Sequence, residues 1–126
     1  MKLCTHNLLM CNKKTCIDSD KNYPLRLVVS KFTENKFEFD EEKAKLFYSK
    51  LDINALNSAL IDINLHQYDL SNIGEDIKQT KEFWEYIHHV LFEYSIDEGL
   101  LVCQSCKREY RIFKGIPDMV LKDDEI

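Results

Sequence analysis

The sequence predicts an α+β fold, in which both ends of the chain build one small antiparallel β module and the middle forms an inserted helical lobe. Three observations predict it. Short apolar, strand-like runs lie near both termini, apolar residues in the middle recur at helical spacing, and a pair of cysteines lies near each end. With 126 residues, there is room for one domain or for two small lobes that share a core. We expect residues 1–39 and 96–126 to form the β domain and residues 40–95 to form the inserted one.

The N-terminal region alternates between strand-like and loop-like stretches. Tyr23-Pro24 interrupts the chain, and the run that follows is apolar and β-branched. Phe37 and Phe39 alternate with charged residues, which is typical of a short strand. The expected elements are a strand at 2–5, a loop at 7–15, a strand at 25–30 and a short strand around Phe37 and Phe39.

Three helices are predicted in the middle of the chain, each preceded by a residue that can accept a hydrogen bond from the first turn. Asp40 precedes two glutamates, and acidic side chains are favourable in the first turn of a helix. Asp52 and Thr80 can cap the second and third helices. Apolar residues then follow at helical spacing; in the third helix they are Phe83, Ile87, Leu91 and Tyr94. Residues 66–79 read as a polar connector.

The C-terminal region returns to strand-like patterns. Gly99 precedes an apolar run that ends at Cys103, and a second strand is expected at 109–113. A turn at 115–117 then precedes the apolar residues 119–121 and an acidic tail at 122–126. The second cysteine pair therefore lies on the turn of a predicted hairpin, as in a zinc knuckle.

The paired cysteines are the strongest chemical signal in the chain. Cys11, Cys16, Cys103 and Cys106 offer four thiolates, which is the ligand set of a structural zinc site. Paired thiols without metal, or iron in place of zinc, remain open as alternatives. A disulfide framework is disfavoured, because the N-terminus lacks the apolar run of a secretory signal and a reducing compartment is expected. Cys4, in the predicted first strand, is expected to be a small buried hydrophobe.

Composition excludes several classes of function. The three glycines lie far apart, so no phosphate-binding loop or dinucleotide fingerprint can be built from them. We find no transmembrane stretch and no convincing catalytic constellation. The formal charge of -5 argues against a nucleic-acid surface as the main function. One basic cluster is favoured as a solvated hairpin face, although a local RNA contact stays open; it comprises Lys107, Arg108, Arg111 and Lys114.

His88 and His89 precede Glu93 at a spacing that allows a histidine and a carboxylate to meet across one helical turn. Such a pair can bind a metal or exchange protons. Because no nucleophile or substrate-positioning group accompanies it, we interpret it as part of a polar helix face with one partly buried histidine.

Four segments together carry a family resemblance that covers the chain from end to end. They are MKLCTHNLLMC at 1–11, YPL at 23–25, IHHVLFE at 87–93 and DEGLLVCQSCKREYRIFKGIPDMVL at 97–121. This combination resembles the small zinc-binding activator subunit that several eukaryotic methyltransferases share. Three positions depart from the family pattern: Ile53 stands where tryptophan is expected, Lys107 where glycine is common, and Asp118 where asparagine is common.

The resemblance implies a protein without methyltransferase activity of its own. Such a subunit forms heterodimers with several S-adenosylmethionine-dependent enzymes, one at a time, and the partner binds the cofactor. The implied targets are tRNA, ribosomal RNA and the class I release factor, which is methylated on the glutamine of its GGQ motif. The implied location is cytoplasmic and nuclear, with no membrane partner and with RNA or release factor contacted mainly through the enzyme. The zinc ligands carry over to Cys11, Cys16, Cys103 and Cys106.

Two apolar runs near the termini are candidates for the partner interface. A strand edge close to the metal could extend the sheet of a partner through main-chain hydrogen bonds. The alternative is that both runs fill the protein's own core, which we accept for residues 100–102. The residues assigned to the interface are Leu9, Met10, Ile116, Pro117, Met119 and Val120. An independent zinc-ribbon-like module that binds RNA through the basic cluster is the alternative function.

Overall fold

The structure of the protein is a computed structural model, and it describes residues 1–19 and 22–121. One four-stranded antiparallel sheet and a group of helices make up the fold, which confirms the predicted α+β class. The α-helices are α1 (Leu3–His6), α2 (Lys14–Ser19), α3 (Glu41–Lys50), α4 (Ile53–Asp62), α5 (Glu75–Lys78) and α6 (Lys81–His88). A 3-10 turn at Leu70–Asn72 precedes α5, and α6 continues into a π-helix at His89–Glu93. The strands are β1 (Arg26–Glu34), β2 (Tyr94–Val102), β3 (Glu109–Phe113) and β4 (Ile116–Pro117).

The strands lie in the order β1-β2-β3-β4, and each pairs antiparallel with its neighbour. The β1–β2 pairing shifts register between Val29 and Phe32, next to the pair that Val29 forms with Gly99. A β-carbon at Gly99 would lie 2.2 Å from the carbonyl oxygen of Val28, so only glycine allows the strands to approach this closely. Gly115 has φ +76 in the tight turn between β3 and β4, where a residue with positive φ is required.

The inner face of the sheet packs on the helices in one continuous core. Leu27, Leu101 and Tyr110 come from three neighbouring strands and are at most 4% exposed. The same buried cluster includes Leu60 of α4 and Ile87 of α6. The helices and the sheet therefore bury their apolar surface together rather than in two separate cores.

The three predicted helix caps are confirmed. Asp40 accepts a hydrogen bond from the main-chain nitrogen of Lys43, and Asp52 accepts one from that of Ala55. Thr80 likewise accepts from Phe83. These side chains satisfy first-turn N–H groups that have no partner inside their own helix, which explains why each helix begins where it does.

Several predicted elements were wrong. Residues 2–5 form no strand, because Leu3 and His6 bury the same face of α1 with a spacing of three residues. Among the described residues, no strand pairs with the segment around Phe37 and Phe39. Its main-chain nitrogen at Phe37 donates to the carboxylate of Glu93. Other differences concern the bounds of elements. β1 extends to Glu34, β2 begins at Tyr94, and the 66–79 connector contains α5. The loop predicted at 7–15 ends early, because α2 begins at Lys14. The predicted acidic tail falls outside the described residues.

Within the described part of the chain, no helix has the length and apolar character needed to cross a membrane.

Candidate metal centre

Four cysteines from both ends of the chain meet at one edge of the core. Cys11 lies in the loop between α1 and α2, and Cys16 lies in α2. Cys103 follows the last residue of β2, and Cys106 lies in the turn before β3. Their sulfur atoms all lie within 4.8 Å of one another. Three of the four residues are at most 1% exposed, and Cys106 is half-buried. The structure thus brings together all four ligands named from the sequence.

The spacing of the sulfur atoms fits a tetrahedral metal site. The Cys11 and Cys106 sulfurs lie 3.8 Å apart, and those of Cys16 and Cys103 lie 3.7 Å apart. With a Zn–S bond of about 2.3 Å, the edge of a tetrahedron is about 3.8 Å. A disulfide would require a sulfur separation of about 2.05 Å. The donor set therefore fits one thiophilic metal ion, with each of these close pairs joining an N-terminal to a C-terminal cysteine.

The second cysteine pair lies on a tight turn whose main chain is closed by two hydrogen bonds. The main-chain nitrogen of Cys103 donates to the oxygen of Arg108, and that of Lys107 donates to the oxygen of Cys103, both at 3.0 Å. Lys107 has φ 65, in the left-handed region that favours glycine. The departure noted at this position therefore lies where a side chain is strained, and the turn forms despite it.

The electrostatics of the cluster explain why a cation is needed. Burial raises the pKa of the Cys11 and Cys106 thiols, since it penalises the thiolate form. Burial also favours a higher pKa for the Cys103 thiol. Hydrogen bonds from the main chain of Cys106 and Ser105 outweigh this effect and lower the pKa of Cys103 to about 7. Four thiolates this close repel one another strongly. A bound metal ion supplies the positive charge that allows all four to ionise.

Tyr110 contacts the centre from the middle of β3. Its hydroxyl donates to the sulfur of Cys11 at 3.1 Å and accepts from the main-chain nitrogen of Asn12 at 3.0 Å. Burial and the Cys11 sulfur raise the pKa of Tyr110 to about 12, so the hydroxyl keeps its proton at neutral pH. The sequence analysis did not predict this contact. The available signal was the tyrosine four residues after Cys106, which is part of the segment that carries the family resemblance.

Cys4 and the two histidines lie away from the thiol cluster. Cys4 lies in α1 and is half-buried against the core, whereas the sequence predicted a buried residue in a strand. His88 is buried, with its ring edge-on to Phe92. His89 is more exposed and lies between two carboxylates, with Glu93 2.8 Å from Nδ1 and Glu34 3.2 Å from Nε2. These contacts hold the end of β1 against the π-helix, which is a structural role for the more exposed histidine.

The residues assigned to a partner interface lie on two segments that meet beside the centre. Ile116 and Val120 are 70% and 77% exposed, and Met10 is 44% exposed. Leu9, Pro117 and Met119 are half-buried. The side-chain amide of Asn12 donates to the main-chain oxygen of Met119 at 2.8 Å, which joins the two segments. Within residues 1–19 and 22–121, β4 pairs only with β3, so its other side is an edge of the described sheet.

The fold and the site together define a small α+β protein in which a candidate tetrathiolate metal centre joins the two ends of the chain. The family model described as "Trm112p-like protein" matches residues 2–115. The chain belongs to the Trm112p-like family.

Relatives with similar sequences match over nearly their whole length. The Schizosaccharomyces pombe protein named "Multifunctional methyltransferase subunit trm112" is 34% identical, and the match covers all of both chains. The Mus musculus protein named "Multifunctional methyltransferase subunit TRM112-like protein" is 34% identical, over 99% of this chain and 98% of its own. An Arabidopsis thaliana homologue of the same description is 30% identical over all of both chains.

A solved structure has the same fold. It is the E. cuniculi complex of Mtq2 and Trm112, described as responsible for the methylation of the eRF1 translation termination factor. The similarity has a TM-score of 0.55 at 22% identity and covers 95% of this chain and 95% of that one.

Proposed function

We propose that this protein is a non-catalytic subunit that forms a heterodimer with one S-adenosylmethionine-dependent methyltransferase at a time and stabilises it. The observation that carries the proposal is the end-to-end match to relatives that are each named as a multifunctional methyltransferase subunit. Because these matches cover at least 98% of each relative, the proposal concerns the whole protein rather than one shared module.

The finer parts of the proposal follow the same family. The substrates of the holoenzymes are tRNA, ribosomal RNA and the class I release factor, and the structurally similar Mtq2-Trm112 complex methylates a termination factor. The catalytic partner binds S-adenosylmethionine and makes most of the contacts to RNA or release factor. The heterodimers work in the cytoplasm and the nucleus.

The metal is one structural Zn²⁺ ion held by Cys11, Cys16, Cys103 and Cys106. Four thiolates fill a tetrahedral coordination sphere, so no position is left for a water or a substrate. A site of this kind stabilises the fold rather than polarising a reactant, which supports a subunit that leaves the chemistry to its partner. Zinc is favoured over iron because it suits closed tetrahedral thiolate sites and undergoes no redox change.

The partner docks at the open edge of β4 and the segment that follows it. A partner strand placed there would extend the sheet through main-chain hydrogen bonds. Ile116 and Val120 expose most of their apolar side chains beside this edge, and Met10 adds a third from the N-terminal loop. Burying large apolar side chains at the centre of an interface is a common source of binding energy.

Affinity purification of the tagged chain from its native cell, followed by mass spectrometry, tests the proposal. We expect one or more S-adenosylmethionine-dependent methyltransferases to be recovered, each in a separate complex. Recovery of RNA or ribosomal proteins without any methyltransferase would refute the subunit function.

A pair of variants tests the docking edge. Ile116→Glu should abolish co-purification of the methyltransferase and leave the metal bound, because a charge would be buried without a partner. Ile61→Glu is the matched control, since Ile61 is an exposed isoleucine (54%) on α4, outside the proposed interface. Equal recovery of the enzyme with both variants would show that the interface lies elsewhere.

One observation favours an RNA-binding alternative. The cationic groups of Arg111 and Lys114 lie 5.1 and 5.5 Å from the ring centre of Phe113, which is 46% exposed. Arg108 lies over the ring of Tyr110, which is buried, and Lys107 completes the basic cluster. Exposed aromatic rings beside cations are typical of single-stranded nucleic-acid sites. Salt-sensitive RNA binding by the isolated chain would support this alternative. RNA binding that is lost when the methyltransferase is removed would contradict it.

A further inference from the structure

We infer that Tyr110 and Asn12 link the metal centre to the docking segment, so that an intact centre holds residues 118–121 in the conformation that a partner strand requires. The part that concerns partner binding rests on the proposed function, whereas the link itself does not. Both residues act through others: they position the thiolate and the main chain.

The first contact of this link is the hydrogen bond from Tyr110 to Cys11. Tyr110 is 0% exposed, and its hydroxyl has Cys11 and Asn12 as hydrogen-bond partners. A hydroxyl that donates to a metal-bound thiolate withdraws charge from the sulfur and orients it. Groups of this outer-shell kind commonly change metal affinity by about 10–100-fold when they are removed.

The second contact runs through Asn12, which directly follows the ligand Cys11. Its main-chain nitrogen donates to the Tyr110 hydroxyl, and its side-chain amide donates to the main-chain oxygen of Met119. Asn12 therefore contacts Tyr110 through its main chain and the docking segment, residues 118–121, through its side chain. The sequence separation between Asn12 and Met119 is 107 residues, so the contact exists only in the folded chain.

A parallel contact comes from Arg108, two residues after Cys106. Its guanidinium lies over the Tyr110 ring at 4.2 Å and donates to the main-chain oxygen of Val120 at 3.4 Å. The main-chain oxygens of two successive residues of the docking segment are thus held by residues that adjoin the metal ligands. If the metal leaves, the loops that carry Asn12 and Arg108 lose their common anchor, and this segment loses both contacts.

Tyr110→Phe tests the first contact, because it removes only the hydroxyl. We expect the zinc-loaded variant to release its metal to a chelator about 10-fold more readily than the wild type. In the cobalt-substituted protein, the thiolate-to-metal charge-transfer band should move to longer wavelength, since the sulfur loses a hydrogen bond. Tyr94→Phe is the matched control, because Tyr94 is a buried tyrosine (3% exposed) on β2 that is not among the hydroxyl partners of the thiols. A band position and release rate for Tyr110→Phe that match those of Tyr94→Phe would overturn this contact.

Asn12→Ala tests the second contact, because it keeps the main-chain donor to Tyr110 and removes the amide. We expect metal retention to stay at the wild-type level, while the amide hydrogens of residues 118–121 exchange several-fold faster. Asn72→Ala, at an exposed asparagine in the 3-10 turn before α5, is the control and should leave that exchange unchanged. Unchanged exchange in Asn12→Ala would overturn the link.

Affinity for the co-purified methyltransferase then separates this inference from the proposed function. The loss of one hydrogen bond predicts an affinity about 2- to 10-fold weaker for Asn12→Ala than for Asn72→Ala. If the wild-type chain binds no methyltransferase, the proposed function fails, and the cobalt spectrum and amide exchange still decide the link. If the enzyme binds and both asparagine variants bind it equally, the coupling to docking is refuted.

Discussion

The contact between Asp62 and the first strand gives the most decisive test of what holds the helices to the sheet. Asp62 lies at the end of α4, and its side chain is 3% exposed. One carboxylate accepts two kinds of hydrogen bond: from the Arg26 guanidinium, at 2.6–3.1 Å, and from the main-chain nitrogen of Leu27, at 3.0 Å. Because β1 is an edge strand, the second bond covers an N–H group that the sheet leaves open.

The two kinds of bond should differ in their contribution to stability. Arg26 is 55% exposed, and ion pairs with a solvent-exposed partner contribute about 0.2–1 kcal/mol. Leu27 is 4% exposed, and an N–H left unpaired at a buried site costs about 1–3 kcal/mol. We therefore expect Arg26→Ala to lower the free energy of unfolding by at most about 1 kcal/mol, and Asp62→Ala to lower it by about 2–4 kcal/mol.

Urea unfolding of the metal-loaded variants, followed by circular dichroism, measures both changes. Asp62→Asn serves as a further control, because its amide oxygen can still accept from Leu27 while the charge is lost, and it should fall between the two alanine variants. If Arg26→Ala and Asp62→Ala destabilise the protein equally, within about 0.5 kcal/mol, the main-chain contact is not the source of the stability and the reasoning is wrong.

Three further perturbations have clear expected outcomes. Gly99→Ala should lower the free energy of unfolding by about 1–3 kcal/mol, since the new β-carbon would meet the rigid Val28 carbonyl. Thermal melts measure the change, and unchanged stability would mean that the strands can separate there without cost. Lys107→Gly should raise stability by about 0.5 kcal/mol, because relief of the strain at φ 65 outweighs the added freedom of the unfolded chain; a lower melting temperature would contradict this. Removing the metal with a chelator should unfold the β module. The metal should be released more easily as pH falls, because the cysteine ligands bind it only when deprotonated. A metal content that does not change between about pH 5 and 8 would argue against a thiolate centre. Metal analysis at each pH provides the measurement.

Features encoded by neighbouring residues were predicted well. The three helix starts follow from Asp40, Asp52 and Thr80, because a cap and the N–H groups that it satisfies lie within three residues of each other. The apolar face of α6 was predicted from its helical spacing, and Phe83 and Ile87 are both fully buried. The departure of Lys107 from the glycine common in the family also lies at a strained position, since the backbone there has φ 65.

Features that depend on distant partners were mispredicted or missed. Residues 2–5 resemble a strand in composition, but a buried position against the core favours a helical turn that places Leu3 and His6 on one face. The alternation at Phe37 and Phe39 predicts a strand, yet in the part of the chain that the structure describes no strand pairs with it. A strand is stable only beside another strand, and local pattern carries no information about that neighbour.

The sequence by itself determined the chemistry of this protein: four thiols in two pairs, three capped helices, and a set of segments specific enough to indicate the family. Each of these depends on residue type and on short spacings, which the chain carries before it folds. Only the tertiary structure decided how the parts are connected. It placed the Tyr110 hydroxyl on the Cys11 sulfur, the Asn12 amide on the Met119 carbonyl, and the Asp62 carboxylate on the edge of β1. These contacts join residues 35 to 107 positions apart, and such contacts form only when the whole core has been buried, so no local pattern can specify them.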